Sequence, residues 1–350
     1  MSFLLNHNPG RAFTHDGVEY RYFGGTSYLG LQTHPDFLKT FAENVLHYGS
    51  SHGASHNSNV QLGLYEESEK ILASFTGAET CLTTSSGFMA GQILRDYLGS
   101  AGYNLFHFPG SHAALRVASD FQFETSEDLR FSILNYLKKK ASKPPVLLFD
   151  SISFSSDHFP DYAFLKSLPL DQLILVADDS HGIGVTGEEG SGCFSSLKAL
   201  GAKDVLVCGS LAKALATPAG FILGSPDRME VIRQRPVFAG ASPASPAAIA
   251  TLGSAVKHIS LQHQKLKANV SYFLKNLKNP EFFQFNPGHA GFNFSDRRLV
   301  TYLKDHQIIV TDFEYAGGGA HRLTRIVITA LHTREDLDYL LGVLRRYFSI

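Results

Sequence analysis

Leu173–Gly187 reads LILVADDSHGIGVTG, and Asp204–Gly220 reads DVLVCGSLAKALATPAG. Each opens with an apolar run of strand length and then turns abruptly polar, at Asp178, Asp179 and His181 in the first and at Ser210 and Lys213 in the second. Such runs bounded by turn residues read as strands buried on both faces. In a parallel sheet both polar ends fall on the carboxyl rim, where ligands bind.

Working outward, further short runs read as strands at Thr80–Thr84, Tyr103–His107, Phe121–Thr125, Pro145–Asp150 and Ala219–Leu223, alternating with helix-like stretches. The alternation predicts an α/β fold with a mostly parallel seven-stranded sheet covered by helices. After Ser254 the pattern changes. VKHISLQHQKLKANVSYFLKNLK, from Val256, reads as one long amphipathic helix, short strands follow, and REDLDYLLGVLRRYF, from Arg334, closes the chain as another helix. We expect an N-terminal segment (1–31) packed with a smaller α+β C-terminal domain (255–350), and a large domain (32–254) between them.

The 350 residues carry a formal net charge of −1 spread evenly, so nothing suggests nucleic acid or an anionic membrane surface as partner, and a small molecule fits better. No run is long enough to span a bilayer and the N-terminus lacks signal-peptide features, which points to the cytoplasm. Cys81, Cys193 and Cys208 are odd in number and form no CxxC pair, so they read as reduced and mostly buried.

A buried strand ending in carboxylates needs a cationic or hydrogen-bonding partner. A protonated pyridine nitrogen is such a partner for Asp178, and keeping that ring cationic lets it accept electrons from a substrate carbanion. Lys213 lies among Leu211, Ala212 and Ala214, where partial burial lowers the amine pKa and favours imine formation. Ser210 is placed to donate to a phosphate. Ser85, Ser86 and Gly87 stand between a strand and a helix-like run, and amides at a helix start bind phosphate. Together these features point to pyridoxal 5'-phosphate. Taken singly, each has a plainer reading: Asp178 and Asp179 capping a turn, Lys213 on the surface, Ser86 capping a helix.

Three other motifs compete. Gly182, Gly184 and Gly187 spell G-x-G-x-x-G, but DDSH intervenes after the strand and Glu188 and Glu189 would repel a pyrophosphate. Gly49, Ser51 and Gly53 spell G-x-S-x-G, but FAENVLHY before them reads as helix, not strand. His52 and His56 are four apart, yet the residues around them favour a loop, and we expect no metal.

The ordered segments TSYLGLQTHP, HYGSSHGASH, EESEKILASFTGAE, SSGFMA, SHAAL, VADDSHGIGVTGEEGSG, SLAKAL and RLTRIVITALHTREDLD resemble the α-oxoamine synthase family, which includes 8-amino-7-oxononanoate synthase. The resemblance implies the fold type I of pyridoxal-phosphate transferases (aspartate aminotransferase-like) and a homodimer with its active sites at the interface. It implies that Lys213 binds the cofactor as a Schiff base, with Asp178 at the pyridine nitrogen, His181 at the ring oxygen and His112 stacked on the ring. Gly87 and Phe88, with Ser86, would approach the phosphate through their backbone, and Ser210 from the far side. Arg325 would hold the carboxylate of the amino acid, and Ser153 would touch the ring. The implied reaction joins a small amino acid to an acyl-CoA with loss of carbon dioxide. Transamination, or cofactor binding without acyl-CoA activity, are the alternatives. The family's Asn-Asp-Tyr-Leu-Gly stands here as Thr26-Ser27-Tyr28-Leu29-Gly30, its expected histidine is Tyr65, and Ala239 and Gly240 replace a Ser-Thr pair.

Overall fold

The computed structural model describes residues 3–117, 120–153, 162–314 and 322–349. Its strands in chain order are β1 (Ala12–His15), β2 (Val18–Phe23), β3 (Thr80–Thr84), β4 (Leu105–His107), β5 (Val146–Asp150), β6 (Ile174–Asp178), β7 (Asp204–Ser210), β8 (Gly220–Gly224), β9 (Gly291–Asn293), β10 (Ile308–Glu314) and β11 (Arg322–Val327). They form a six-stranded sheet, β3-β8-β7-β6-β5-β4, and a five-stranded one, β1-β2-β10-β11-β9.

In the larger sheet only β8 runs against its neighbours β3 and β7; the pairs β4–β5, β5–β6 and β6–β7 are parallel. The expected mostly parallel sheet is therefore present, with one strand fewer than anticipated. Phe121–Thr125 joins neither sheet, and Phe121 is 73% exposed. Its aromatic, β-favouring composition reads as a strand locally. Strand formation, however, depends on a neighbouring strand to satisfy its backbone.

Successive side chains of a strand face opposite ways, and the core obeys this alternation. Val146 and Leu148 of β5, Ile174 and Val176 of β6, and Leu206 and Cys208 of β7 pack on one face with Ile93 and Leu94 of the helix Gly87–Ser100. The intervening Leu147 and Phe149, Leu175 and Ala177, and Val205 and Val207 join the main core on the other face. Full burial of each such side chain contributes about 1.5–3 kcal/mol, which gives the sheet a rigid rim on which polar groups can be held. Asp150 and Asp178 continue the even-numbered set and lie directly opposite each other in register.

The smaller sheet joins the two ends of the chain. β2 runs parallel to β10, and β11 lies between β10 and β9. The long helix is found at Val256–Asn276 and the closing helix at Arg334–Tyr347. Thr333 and Asp336 form a reciprocal capping box at the start of the closing helix. Arg11 and Arg21 of the N-terminal hairpin region reach that same Asp336 at 3.0 and 3.3 Å. No helix among the described residues is long and apolar enough to cross a membrane. Cys81, Cys193 and Cys208 are buried and free.

Candidate active site

The carboxyl ends of β5, β6 and β7 carry a cluster of polar groups, Asp150, Asp178 and Asp179 among them, and strand parity divides their work. Asp178, with even parity, remains on the face of helix Gly87–Ser100, 4.0 Å from His112 Nδ1. Asp179 turns to the opposite face. There its carboxylate accepts hydrogen bonds from the Ser151 hydroxyl and, at 3.0 Å, from the Cys193 amide. A Cβ on Gly182 or Gly192 would lie 2.0 or 2.1 Å from that carboxylate, so both glycines are dictated by its placement. Asp179 thus ties together the turn after β6, and Asp178 is the carboxylate left for a ligand.

Asp150 is the site residue that the strand-end reading passed over, although Pro145–Asp150 has the same apolar-run-then-aspartate form as β6. Both its oxygens accept from the His112 amide at 3.2 Å. Burial, reinforced by the neighbouring Asp178 charge, raises its carboxyl to about 8. Two carboxylates side by side at the end of a sheet favour either a proton or an incoming cation.

Lys213 is half-buried, and burial lowers its amine below the usual lysine range, against the opposing pull of Asp178 and Asp150. Its backbone carbonyl accepts from Gln32 Nε2 at 2.5 Å, which fixes the turn that carries it. Ser210 is positioned by its own amide, which donates to Ser180 Oγ at 2.9 Å. The helix Gly87–Ser100 begins against this point. Ser86 caps it by accepting from the Met89 amide at 3.2 Å, and a Cβ on Gly87 would lie 2.6 Å from Ser210 backbone atoms. The Ser86–Phe88 amides and the Ser210 hydroxyl therefore form a cradle at a positive helix end, suited to an anion. Gly87→Ala must push the helix start away from β7, at an overpacking cost of about 1–3 kcal/mol. We expect cofactor affinity, read by a fluorescence titration, to fall roughly tenfold.

His112 Nδ1 accepts from the Ala114 amide at 3.2 Å, and burial lowers its pKa despite Asp178, so it presents a neutral ring. His181 is likewise held neutral, first by burial and then by Lys213 and Arg325. His181 Nδ1 lies 2.8 Å from the Tyr28 hydroxyl. The His181 carbonyl accepts from His289 Nε2 at 3.1 Å, a tautomer set by the Gly291 amide donating to His289 Nδ1. Arg325 is 6% exposed, and its Nε donates to Asn293 Oδ1 at 2.7 Å on the adjoining strand. It also acts on Tyr28, whose hydroxyl burial pushes up to about 12. Tyr28, His289 and Asn293 are three site residues that the sequence reading missed.

The profile of the family described as aminotransferase class I and II matches residues 121–344. The 8-amino-7-oxononanoate synthase of Saccharophagus degradans is 31% identical over 343 residues, spanning 92% of this chain and 85% of that one. The chain belongs to the aminotransferase class I and II family. Its similarity to several 8-amino-7-oxononanoate synthases places it on the α-oxoamine synthase branch. One from Dechloromonas aromatica is 26% identical over 362 residues, covering 96% of this chain and 92% of its own. A serine palmitoyltransferase from S. paucimobilis, solved with PLP-myriocin bound, shares the fold with a TM-score of 0.80 at 19% identity, over 98% of this chain and 92% of that one.

Members of this branch are transferases that use pyridoxal phosphate, and the residues at the rim fit that group. A buried carboxylate, a lysine depressed by burial, a neutral flat imidazole and an anion cradle would offer one partner for each part of the cofactor. The structure brings Lys213, Asp178, His181, His112, Ser210 and Arg325 toward this rim and sets the Ser86–Phe88 turn beside Ser210. Phe88 is 54% exposed, so only its amide belongs to the cradle. The Ser153 carbonyl accepts from Asn286 Nδ2 at 3.1 Å; residues 154–161 of the SISFSSD stretch and beyond lie outside the described residues.

The competing motifs are local structure. Gly187 precedes only the 3₁₀ turn Glu188–Gly190, so no dinucleotide helix follows. Gly49 ends the helix Pro35–Tyr48 rather than following a strand. His56 stacks on Phe238 with ring centroids 4.6 Å apart, while His52 Nε2 reaches the Val60 carbonyl at 3.2 Å.

Proposed function

We propose that this transferase condenses a small amino acid with an acyl-CoA, with loss of carbon dioxide, as a cytoplasmic homodimer whose active sites lie at the interface. The observation that carries the reading is Arg325. A buried guanidinium, fixed by Asn293 and acting electrostatically on Lys213 and His181, is a carboxylate receptor beside the cofactor's lysine. The names of the curated relatives support the same reaction class.

Pyridoxal phosphate supplies the electron-accepting ring that holds the pair left on the substrate Cα. Asp178 would hold a proton at the ring nitrogen, and Asp150 lies in register with it as a second acidic group. His181, oriented through Tyr28 and His289, would meet the ring oxygen, and His112 would cover one face. Arg325 anchors the amino-acid carboxylate. Lys213 Nζ, its charge disfavoured by burial, would yield its place to the substrate amine and would then take the Cα proton. A bond would form from Cα to the acyl carbonyl carbon and the C–S bond would break, and CoA would leave as a thiolate that takes a proton from solvent to become the thiol. Carbon dioxide then leaves and a proton returns to Cα from Lys213 Nζ.

Free-thiol release from acyl-CoA, dependent on glycine, alanine or serine, is the test. Arg325→Ala should raise the amino-acid KM about 30-fold or more, the loss of a charge-assisted bidentate contact of roughly 2–3 kcal/mol. Thiol release independent of any amino acid, or absent with every acyl-CoA of short, medium and long chain, would overturn the reading. Ketoacid-dependent amine transfer in its place would establish a transaminase, the reading to which Tyr65, Ala239 and Gly240 lend weight.

A further inference from the structure

A second group of donor side chains, separate from the rim, meets where the loop entering helix Pro35–Tyr48 approaches the first turn of helix Val256–Asn276. His34, Asp36 and His258 each offer one ligand atom, and these atoms lie within 4.8 Å of one another. The two imidazole centroids are 4.9 Å apart, tilted by 53°. His34 Nδ1 is buried and has no hydrogen-bond partner among the described residues. Buried polar atoms are nearly always paired, so an orphaned imidazole nitrogen beside two further donors calls for an explanation. The His34 backbone is not free to move: its amide donates to the Leu31 carbonyl at 3.1 Å, and its carbonyl accepts from the Leu38 amide at 3.0 Å.

We propose that His34, Asp36 and His258 form a binding site for one divalent transition-metal ion. Two imidazoles and a carboxylate make a borderline donor set, suited to zinc, nickel, cobalt or copper rather than to calcium or magnesium. Neutral imidazole is the ligand form. Ligand atoms about 2.0–2.2 Å from a tetrahedral ion stand roughly 3.3 Å apart. The gap from 4.8 Å is closed by rotation of Asp36, which is exposed, and of the partly exposed His258. A water completes the coordination.

The consequence is a brace between two segments distant in sequence. Gln32, two residues before His34, donates to the Lys213 carbonyl at 2.5 Å. The ion would therefore tether the turn that holds the lysine's backbone to the long helix, without touching the cofactor.

The test is calorimetric titration of the untagged, chelator-washed full chain, carrying its cofactor, with zinc chloride. One ion per chain is expected, with affinity at least tenfold weaker in His258→Ala and in Asp36→Asn, and unchanged in His52→Ala and His56→Ala. A retained visible absorbance of the cofactor verifies that each variant is folded. Saturating zinc should also raise the Tm of the wild-type chain by roughly 2–4 °C, through binding to the native state alone. No saturable binding below about 100 µM, or equal affinity in either His258→Ala or Asp36→Asn, would overturn the proposal.

Discussion

Lys213→Ala should lower kcat by at least about 10³-fold and remove the visible band of the bound cofactor, while leaving the fold intact. Among the described residues at the rim the amine is the group suited both to bond to the cofactor and to carry the Cα proton, and losing either role alone would cost about 10²–10⁴-fold. Lys213→Arg should not restore activity, because a guanidinium stays charged where a neutral nucleophile is required. Stability should change little. Lys213 is half-buried and its charge is already disfavoured by burial, so truncation removes a strained cation along with its attraction to Asp178 and Asp150. Stopped-flow absorbance with the amino acid, set beside a urea unfolding curve, separates the two effects. A kcat within tenfold of wild type would exclude Lys213 as the proton carrier.

Replacing Asp178 by Asn should lower kcat by about 10²–10⁴-fold, because an amide cannot keep the ring nitrogen protonated. A second readout is independent of turnover. In the cofactor-free chain the Asp150 carboxyl, raised to about 8 by burial and then by the Asp178 charge, keeps its proton long after the unfolded chain has lost its own. The folded state therefore binds more protons than the unfolded state between about pH 4 and pH 8, so stability falls as pH rises across that window. Asp178→Asn removes the repulsion, lowers the Asp150 pKa and shallows the fall. Urea midpoints at pH 5 and pH 8 for both proteins measure it. An identical pH dependence in the two chains would mean that the carboxylates do not sense each other.

What local sequence encodes about this protein, and what it does not, follows from range. The apolar runs of β3 and of β5 to β8 were legible because burial on both faces demands uninterrupted hydrophobicity, and their polar ends marked the rim. Phe121–Thr125 misled because aromatic and β-branched residues describe a tendency that only a neighbouring strand can realise. Asp178 and Lys213 were legible as paired anomalies on adjacent strands. Asp150 had the same signature as Asp178, but its significance depends on register, which places it opposite Asp178 and which no single strand specifies. Tyr28, His289 and Asn293 were invisible for a stronger reason: each works through a residue at least thirty positions away in the chain. Arg325 was visible only through resemblance, since its role is set by Asn293 on the neighbouring strand.

The pairing of β2 with β10 also governs the order in which the protein can be completed during synthesis. The hairpin Ala12–Phe23 is made before the strands of the larger sheet, yet its parallel partner Ile308–Glu314 is made after them. Throughout that interval Phe23, buried in the finished molecule, lacks His332, on which its ring stacks with centroids 4.0 Å apart. Domains form from the N-terminus at about 5–20 residues per second, and exposed apolar edges invite misassociation. The six-stranded sheet can therefore assemble on the nascent chain while the hairpin waits. Tyr28 and Arg325, brought in by the two ends, meet only when that wait is over. The cluster that joins Tyr28 to Arg325 is thus incomplete until β11 has been made.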